Sequence, residues 1–243
     1  MAKKEQIGTC SICGENIKLS FEHFPPLAAR NNLPVMIQDY NHLTPIGNPY
    51  LYGKAIRSNR GMGGYKLCEP CNNNTGSWYA EEYSRIVNSN LEEIIEQNQK
   101  SLINFKTKIK PLNFLKQILI FHLCADQELG TIRKVLDSKK LILTKAKNDI
   151  SNEIGVYMYA TFSEKHRNIG ICTMFSSQLT GIVNYSEFNF HPFGFLLTLN
   201  SVPPNYELFD ITKFANYKYN EEVEIEFNLP NLPVKTTRVG HYP

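Results

Sequence analysis

The chain has 243 residues, a net charge of +3, 42% hydrophobic residues and 12% aromatic residues. That composition buries a core and excludes disorder as the general state. No apolar run approaches the ~20 residues of a membrane span; the best candidate, residues 112–125, carries Lys116 and His122. The N-terminus has no apolar leader, so the expected compartment is the cytoplasm, with no membrane partner. In a reducing cytoplasm, clustered cysteines point to metal or to chemistry rather than to disulfides.

Three regions separate by composition, and they set the expected organisation: a module over residues 6–90, a helical segment over 91–149 and a β-rich region over 150–243. Residues 6–80 are rich in Gly, Pro and Asn and hold four of the six cysteines, which suggests a small unit stapled by metal. Charge is uneven: +3 over residues 1–80, +3 over 81–149 and −3 over 150–243. The first two regions are therefore the better match for an anionic partner.

In chain order, WYAEEYSRIVNSNLEEIIEQ places Tyr79, Tyr83, Ile86 and Val87 on one helical face. Pro111 opens a second helix, PLNFLKQILIFHLCAD, apolar enough to be buried. TIRKVLDSKK reads as a short third helix. GVYMYATFS, IGICTMFS, GIVNYSEFNF, FGFLLTLN and EVEIEFNL are β-branched and aromatic and read as strands. The expected fold class is α+β, with a zinc module, a helical middle and a C-terminal antiparallel sheet. That sheet is a candidate surface for a homodimer or a partner protein.

Two CxxC pairs, Cys10/Cys13 and Cys68/Cys71, supply four thiolates, the set a closed tetrahedral structural zinc site uses. Gly14 follows the first pair, where a knuckle turn needs φ > 0. Cys124 and Cys172 sit in apolar runs and read as inert core residues. Between the pairs, Glu22-His23 stands before Pro25-Pro26. A carboxylate can hold Mg²⁺ or Mn²⁺ through oxygen, and a histidine can take a proton from water near neutral pH. The two converge on one phosphate only if the strand bends, because neighbouring strand residues point to opposite faces. Asn72 follows the last cysteine of the second pair and can be a second oxygen ligand, with Asn73 on backbone phosphate and the neighbouring polar residues as helix caps. The alternative is that all three asparagines only cap and turn. Arg57 and Arg60, and less so Arg30 and Lys54, are candidate phosphate contacts, although a solvated loop has the same composition. Trp78 and Tyr79 either stack on bases or pack the helix against its neighbours.

The order CxxC, EHxPP, CxxCN resembles the HNH, or ββα-metal, endonucleases built on a treble-clef zinc fold, and in motif order it is similar to their endonuclease VII branch. The resemblance implies a hydrolase that cuts phosphodiester bonds of DNA. Cys10, Cys13, Cys68 and Cys71 would hold structural zinc, Glu22 and Asn72 would hold the catalytic Mg²⁺ or Mn²⁺, and His23 would be the general base. Many members carry a central Asn shortly before the second cysteine pair. Here that stretch is GMGGYKLC, and Asn59 lies further back. The alternatives are a zinc-stabilised nucleic-acid or protein binding module without cleavage, or a nuclease directed at RNA, a toxin or a phage-defence effector.

Overall fold

The computed structural model describes residues 5–38, 50, 52–176, 181–203 and 207–234. His42 and His241, assigned no role above, lie outside these residues.

β1 (Ile7–Thr9) and β2 (Asn16–His23) pair antiparallel around the Cys10–Gly14 turn, with Ile7 opposite Lys18 and Thr9 opposite Asn16. Gly14 has φ +77°, as the knuckle reading requires, a conformation that strains other residues. The chain then leaves β2 and builds a separate two-stranded ribbon from β3 (Val35–Gln38) and β4 (Ala55–Ser58). It returns as β5 (Gly63–Cys68), which pairs with β2 from Leu19 to His23. One extra residue, Lys66, sits between the Ser20–Leu67 and Phe21–Tyr65 pairs, a bulge that bends the hairpin.

α1 (Glu69–Thr75) starts directly from β5, with Pro70 in its first turn, where its missing N–H has no intrahelical role. One wider π-type turn, Gly76–Ala80, joins it to α2 (Glu81–Glu96). The middle region, expected to be helical, also holds a strand, β6 (Leu102–Ile109), whose side chains alternate between buried and exposed. Its partner is far along the chain, which is why a local helical reading passed over it. α3 (Pro111–Ala125) is buried along almost its whole length. The expected third helix is two, α4 (Thr131–Val135) and α5 (Ser138–Leu143), broken at Asp137 with φ +46°; Asp is among the few residues that tolerate that region.

The C-terminal region forms a five-stranded antiparallel sheet from β7 (Ile154–Ala160), β8 (Asn168–Ser176), β9 (Gly181–Phe190), β10 (Phe193–Leu199) and β11 (Phe209–Asp210), in the order β11-β7-β10-β9-β8. β12 (Val223–Pro230) pairs with β6, Val223 opposite Ile109 and Pro230 opposite Leu102. The fold is thus a mixture of helices and antiparallel sheets, as expected at that level.

The three compositional regions share one buried core. It runs from Leu19 and Leu67 through Tyr83, Ile86 and Phe121 to Phe188, Phe195 and Phe227. Tyr83 packs its ring against Phe114, Phe121 and Phe195, and Phe121 stacks on Phe188 at 4.4 Å. Each such side chain contributes ~1.5–3 kcal/mol when taken from water, so this apolar seam locks the N-terminal module to the C-terminal sheet. No helix among the described residues is long and apolar enough to cross a membrane.

Candidate functional site

The structure brings Cys10, Cys13, Cys68 and Cys71 together, with their sulfurs all within 4.8 Å of one another. Cys13 Sγ and Cys68 Sγ are 3.9 Å apart and the thiols are free. A tetrahedral zinc with Zn–S near ~2.3 Å has sulfur–sulfur edges of about 3.8 Å, whereas a disulfide requires about 2.05 Å. The Cys68 amide donates to Cys10 Sγ at 3.4 Å, and the amides of Cys13 and Ile12 also point at that sulfur. Hydrogen bonds from Cys71 and these amides draw the Cys10 thiol down to about 4. Burial pushes Cys13 up to about 11, and Cys71 rises because Cys10 holds its proton and burial opposes its charge. Four thiols this close hold little negative charge by themselves. A divalent cation lets all four ionise, and the donor set fits a closed structural site for an ion such as zinc.

Residues far along the chain grip this knuckle. Ser11 bonds the bulge carbonyl of Lys66 through its amide, at 2.9 Å, and its hydroxyl, at 3.0 Å. Ser138 Oγ donates to Ile12 O at 2.8 Å, Arg133 donates to Cys10 O at 3.2 Å, and Gln127 donates to Thr9 O at 2.7 Å. Sequence reasoning missed Gln127, Arg133 and Ser138. Polar residues 120 or so positions away carry no local signal of such a role, as their separations of 118, 123 and 126 residues make plain.

The asparagines do not cap a helix start, as was expected of some of them. α1 begins at Glu69 with Cys68 as its N-cap residue, so Asn72, Asn73 and Asn74 lie inside the helix. Asn72 faces the hairpin: its Nδ2 donates to Ser20 Oγ at 3.0 Å and to Phe21 O at 3.3 Å. Its Oδ1 has no hydrogen-bond partner among the described residues. Glu22 stands on the Ser20 face of β2, half-buried. Burial raises its carboxyl to about 7, against a smaller lowering by a hydrogen bond from Asn72. Glu22 and Asn72 therefore meet, with the amide nitrogen of Asn72 turned toward the carboxylate. His23, the next residue, turns to the other face, where its ring packs edge-to-face on Phe21 at 5.0 Å beside Tyr65. No side-chain hydrogen bond holds the His23 ring among the described residues. β1 covers β2 only as far as Lys18, so among the described residues no strand pairs with the outer edge of residues 20–23 opposite β5.

The far end of this hairpin has no room for a side chain on β5. Gly63 lies opposite His23, and a Cβ there would come within 2.5 Å of Glu22 O and 2.9 Å of the Phe21 ring. Asn31, which sequence reasoning passed over, secures this end instead. It is 1% exposed. Its Nδ2 donates to Pro25 O at 2.7 Å and Met62 O at 2.6 Å, and its Oδ1 accepts from the Met62 amide at 2.6 Å.

Asn73 is exposed on α1, Arg57 is exposed on β4 opposite Met36, and Arg60 is exposed in the turn before β5. Lys54 is exposed, and Arg30 leans on Asn88 of α2 at 3.3 Å. Tyr79 is fully buried, its hydroxyl bonded to Ile142 O at 2.8 Å, which leaves it no base to stack on. Trp78 is half-buried with Lys145 4.7 Å over its ring. Comparison with family models, with curated proteins and with solved structures finds no match for this chain.

Proposed function

We propose that this chain is a metal-dependent endonuclease of the HNH type that hydrolyses phosphodiester bonds of DNA, on a treble-clef module held by zinc. The observation that carries the proposal is the meeting of Glu22 and Asn72 across β2 and α1, on a scaffold that the four cysteines fix. The knuckle, the β2–β5 hairpin and α1 follow one another in the order such a module needs.

With the Asn72 amide turned over so that Oδ1 faces Glu22, the two side chains offer a hard cation two protein oxygens. Mg²⁺ keeps several waters and accepts substrate phosphate as further ligands, so two are enough. Such a cation, when bound, stabilises charge on the phosphate and the leaving oxygen. A half-buried carboxylate with one amide partner is short of positive charge, which suits that role. His23 sits at the end of the same strand but on its other face. It reaches the phosphate only when the phosphate lies across the open edge of residues 20–23, with Glu22 on one side and the imidazole on the other. There His23 takes a proton from the attacking water, a step that contributes typically 10²–10⁴-fold.

The test is cleavage of supercoiled plasmid in Mg²⁺ or Mn²⁺ by wild type, Glu22→Gln and Asn72→Ala. Both variants should lose cutting while keeping one zinc per chain. Retained cutting in either would remove that residue from the site.

A further inference from the structure

Between Phe24 and Cys68 the chain has five basic residues, Arg30, Lys54, Arg57, Arg60 and Lys66, against one acidic residue, Asp39. This stretch is therefore +4, while the remaining residues, with 21 Lys/Arg and 22 Asp/Glu, are −1. Lys54, Arg57 and Arg60 are exposed and enter none of the ion pairs among the described residues. In the middle of this stretch stands the β3–β4 ribbon, which pairs with no other strand among the described residues. It leaves apolar side chains in water on both faces: Met36, opposite Arg57, is 65% exposed, and Ile56, opposite Ile37, is 66% exposed. Its base is tied to the hairpin end. Ser58 Oγ donates to Gly61 O at 2.7 Å, and Asn31 joins Pro25 to Met62, just before Gly63 and its partner His23.

An element that is basic, apolar and two strands wide fits a partner that is anionic and grooved. The major groove of B-DNA, ~12 Å wide, admits a two-stranded ribbon and presents thymine methyls to apolar side chains. A single strand is held by stacking on aromatic rings; the paired strands VMIQ and AIRS contain none, and the exposed Tyr50 and Tyr52 lie outside them, before β4. An A-form RNA duplex has a major groove too narrow for side chains to read. We infer that the β3–β4 ribbon docks in the major groove of duplex DNA, with Lys54, Arg57 and Arg60 on phosphates and Met36, Ile37 and Ile56 against sugars and thymine methyls. The endonuclease reading supplies what the bound duplex is presented to; the binding itself does not depend on it.

The test measures binding without cutting. A short fluorescent DNA duplex is titrated in Ca²⁺, free of Mg²⁺ and Mn²⁺, at several salt concentrations. The same sequence as single-stranded DNA and as RNA duplex is run beside it. Wild type should bind duplex DNA best. Arg57→Ala/Arg60→Ala should bind about tenfold more weakly or worse, with the slope of log K against log salt smaller by about 2, one for each lost phosphate contact. Met36→Ser/Ile56→Ser should bind more weakly with the slope unchanged. All four side chains are exposed, so zinc content and melting temperature should match wild type. The inference is overturned if both variants bind as wild type does, or if single strands or RNA bind better than duplex DNA. A protein that binds duplex through the ribbon yet cuts nothing in Mg²⁺ keeps this inference and loses the endonuclease reading. One that cuts while its ribbon variants bind unchanged does the reverse.

Discussion

Asn31→Ala is the perturbation that most directly tests how the hairpin end is held. Asn31 is buried and makes three hydrogen bonds at 2.6–2.7 Å, two donated to Pro25 O and Met62 O and one accepted from the Met62 amide. A typical bond of this kind contributes about 1 kcal/mol net, and a buried donor left without a partner costs about 1–3 kcal/mol. The variant should therefore lose about 3–5 kcal/mol, a large share of the ~5–15 kcal/mol that holds a typical domain. Equilibrium urea unfolding reads this as a lower midpoint at unchanged slope. Asn31→Asp separates bonding from volume. It keeps an acceptor for the Met62 amide but sets an anion against two carbonyls, so it should be as damaging at pH 7 and recover in acid as the carboxyl gains a proton. An Asn31→Ala midpoint within about 0.5 kcal/mol of wild type, the usual scatter of a neutral surface change, would refute the reasoning.

Two further outcomes follow from buried polar groups. His122 is fully buried; Ser186 Oγ gives its proton to Ile169 O, so His122 Nδ1–H must donate to Ser186, leaving Nε2 bare in the core. Burial lowers the imidazole from 6.5 to about 3, so between those values the unfolded chain binds a proton that the folded chain cannot. Stability should fall as pH drops below 6.5, by about 3 kcal/mol from this group at pH 4.5, and His122→Leu should lose less stability over that range when both are unfolded in denaturant. Arg167 and Glu187, 4% and 0% exposed, pair at 2.8 Å, with Tyr159 Oη donating to Glu187 at 2.6 Å. Glu187→Gln removes the carboxylate charge that faces the buried Arg167 guanidinium and should cost about 3–5 kcal/mol, read as a lower melting temperature; a change of less than a degree or two would contradict it.

The C-terminal strands were legible because each is a β-branched, aromatic run between polar or Pro/Gly breaks. Four of the expected strands stand within one residue of β8, β9, β10 and β12 at each end, and the fifth finds β7 but overruns it by three residues, to Ser163. β6 was not, because its meaning lies in Val223–Pro230, more than a hundred residues away. The cysteines were legible from identical spacing alone. The start of α1 was misread because Asn and Ser at helix starts are a strong local signal, yet Pro70 and the strand-to-helix junction at Cys68 decided the boundary. Asn31 and Ser138 bond to backbone atoms that only the fold brings near, so neither residue type nor spacing marked them. Alternation along β2 was foreseen as the difficulty for Glu22 and His23. The bulge at Lys66 bends the hairpin without turning His23 onto the Glu22 face.

The central claim is hydrolysis by His23 beside a cation on Glu22 and Asn72. Its most direct test compares purified wild type with His23→Ala on supercoiled plasmid, in Mg²⁺ or Mn²⁺ and in EDTA, with zinc measured in both proteins. The account predicts nicking or linearisation by wild type, none in EDTA, none by His23→Ala, and one zinc per chain in each. Cutting that persists in His23→Ala, or wild type that holds its zinc and cuts nothing, would contradict it.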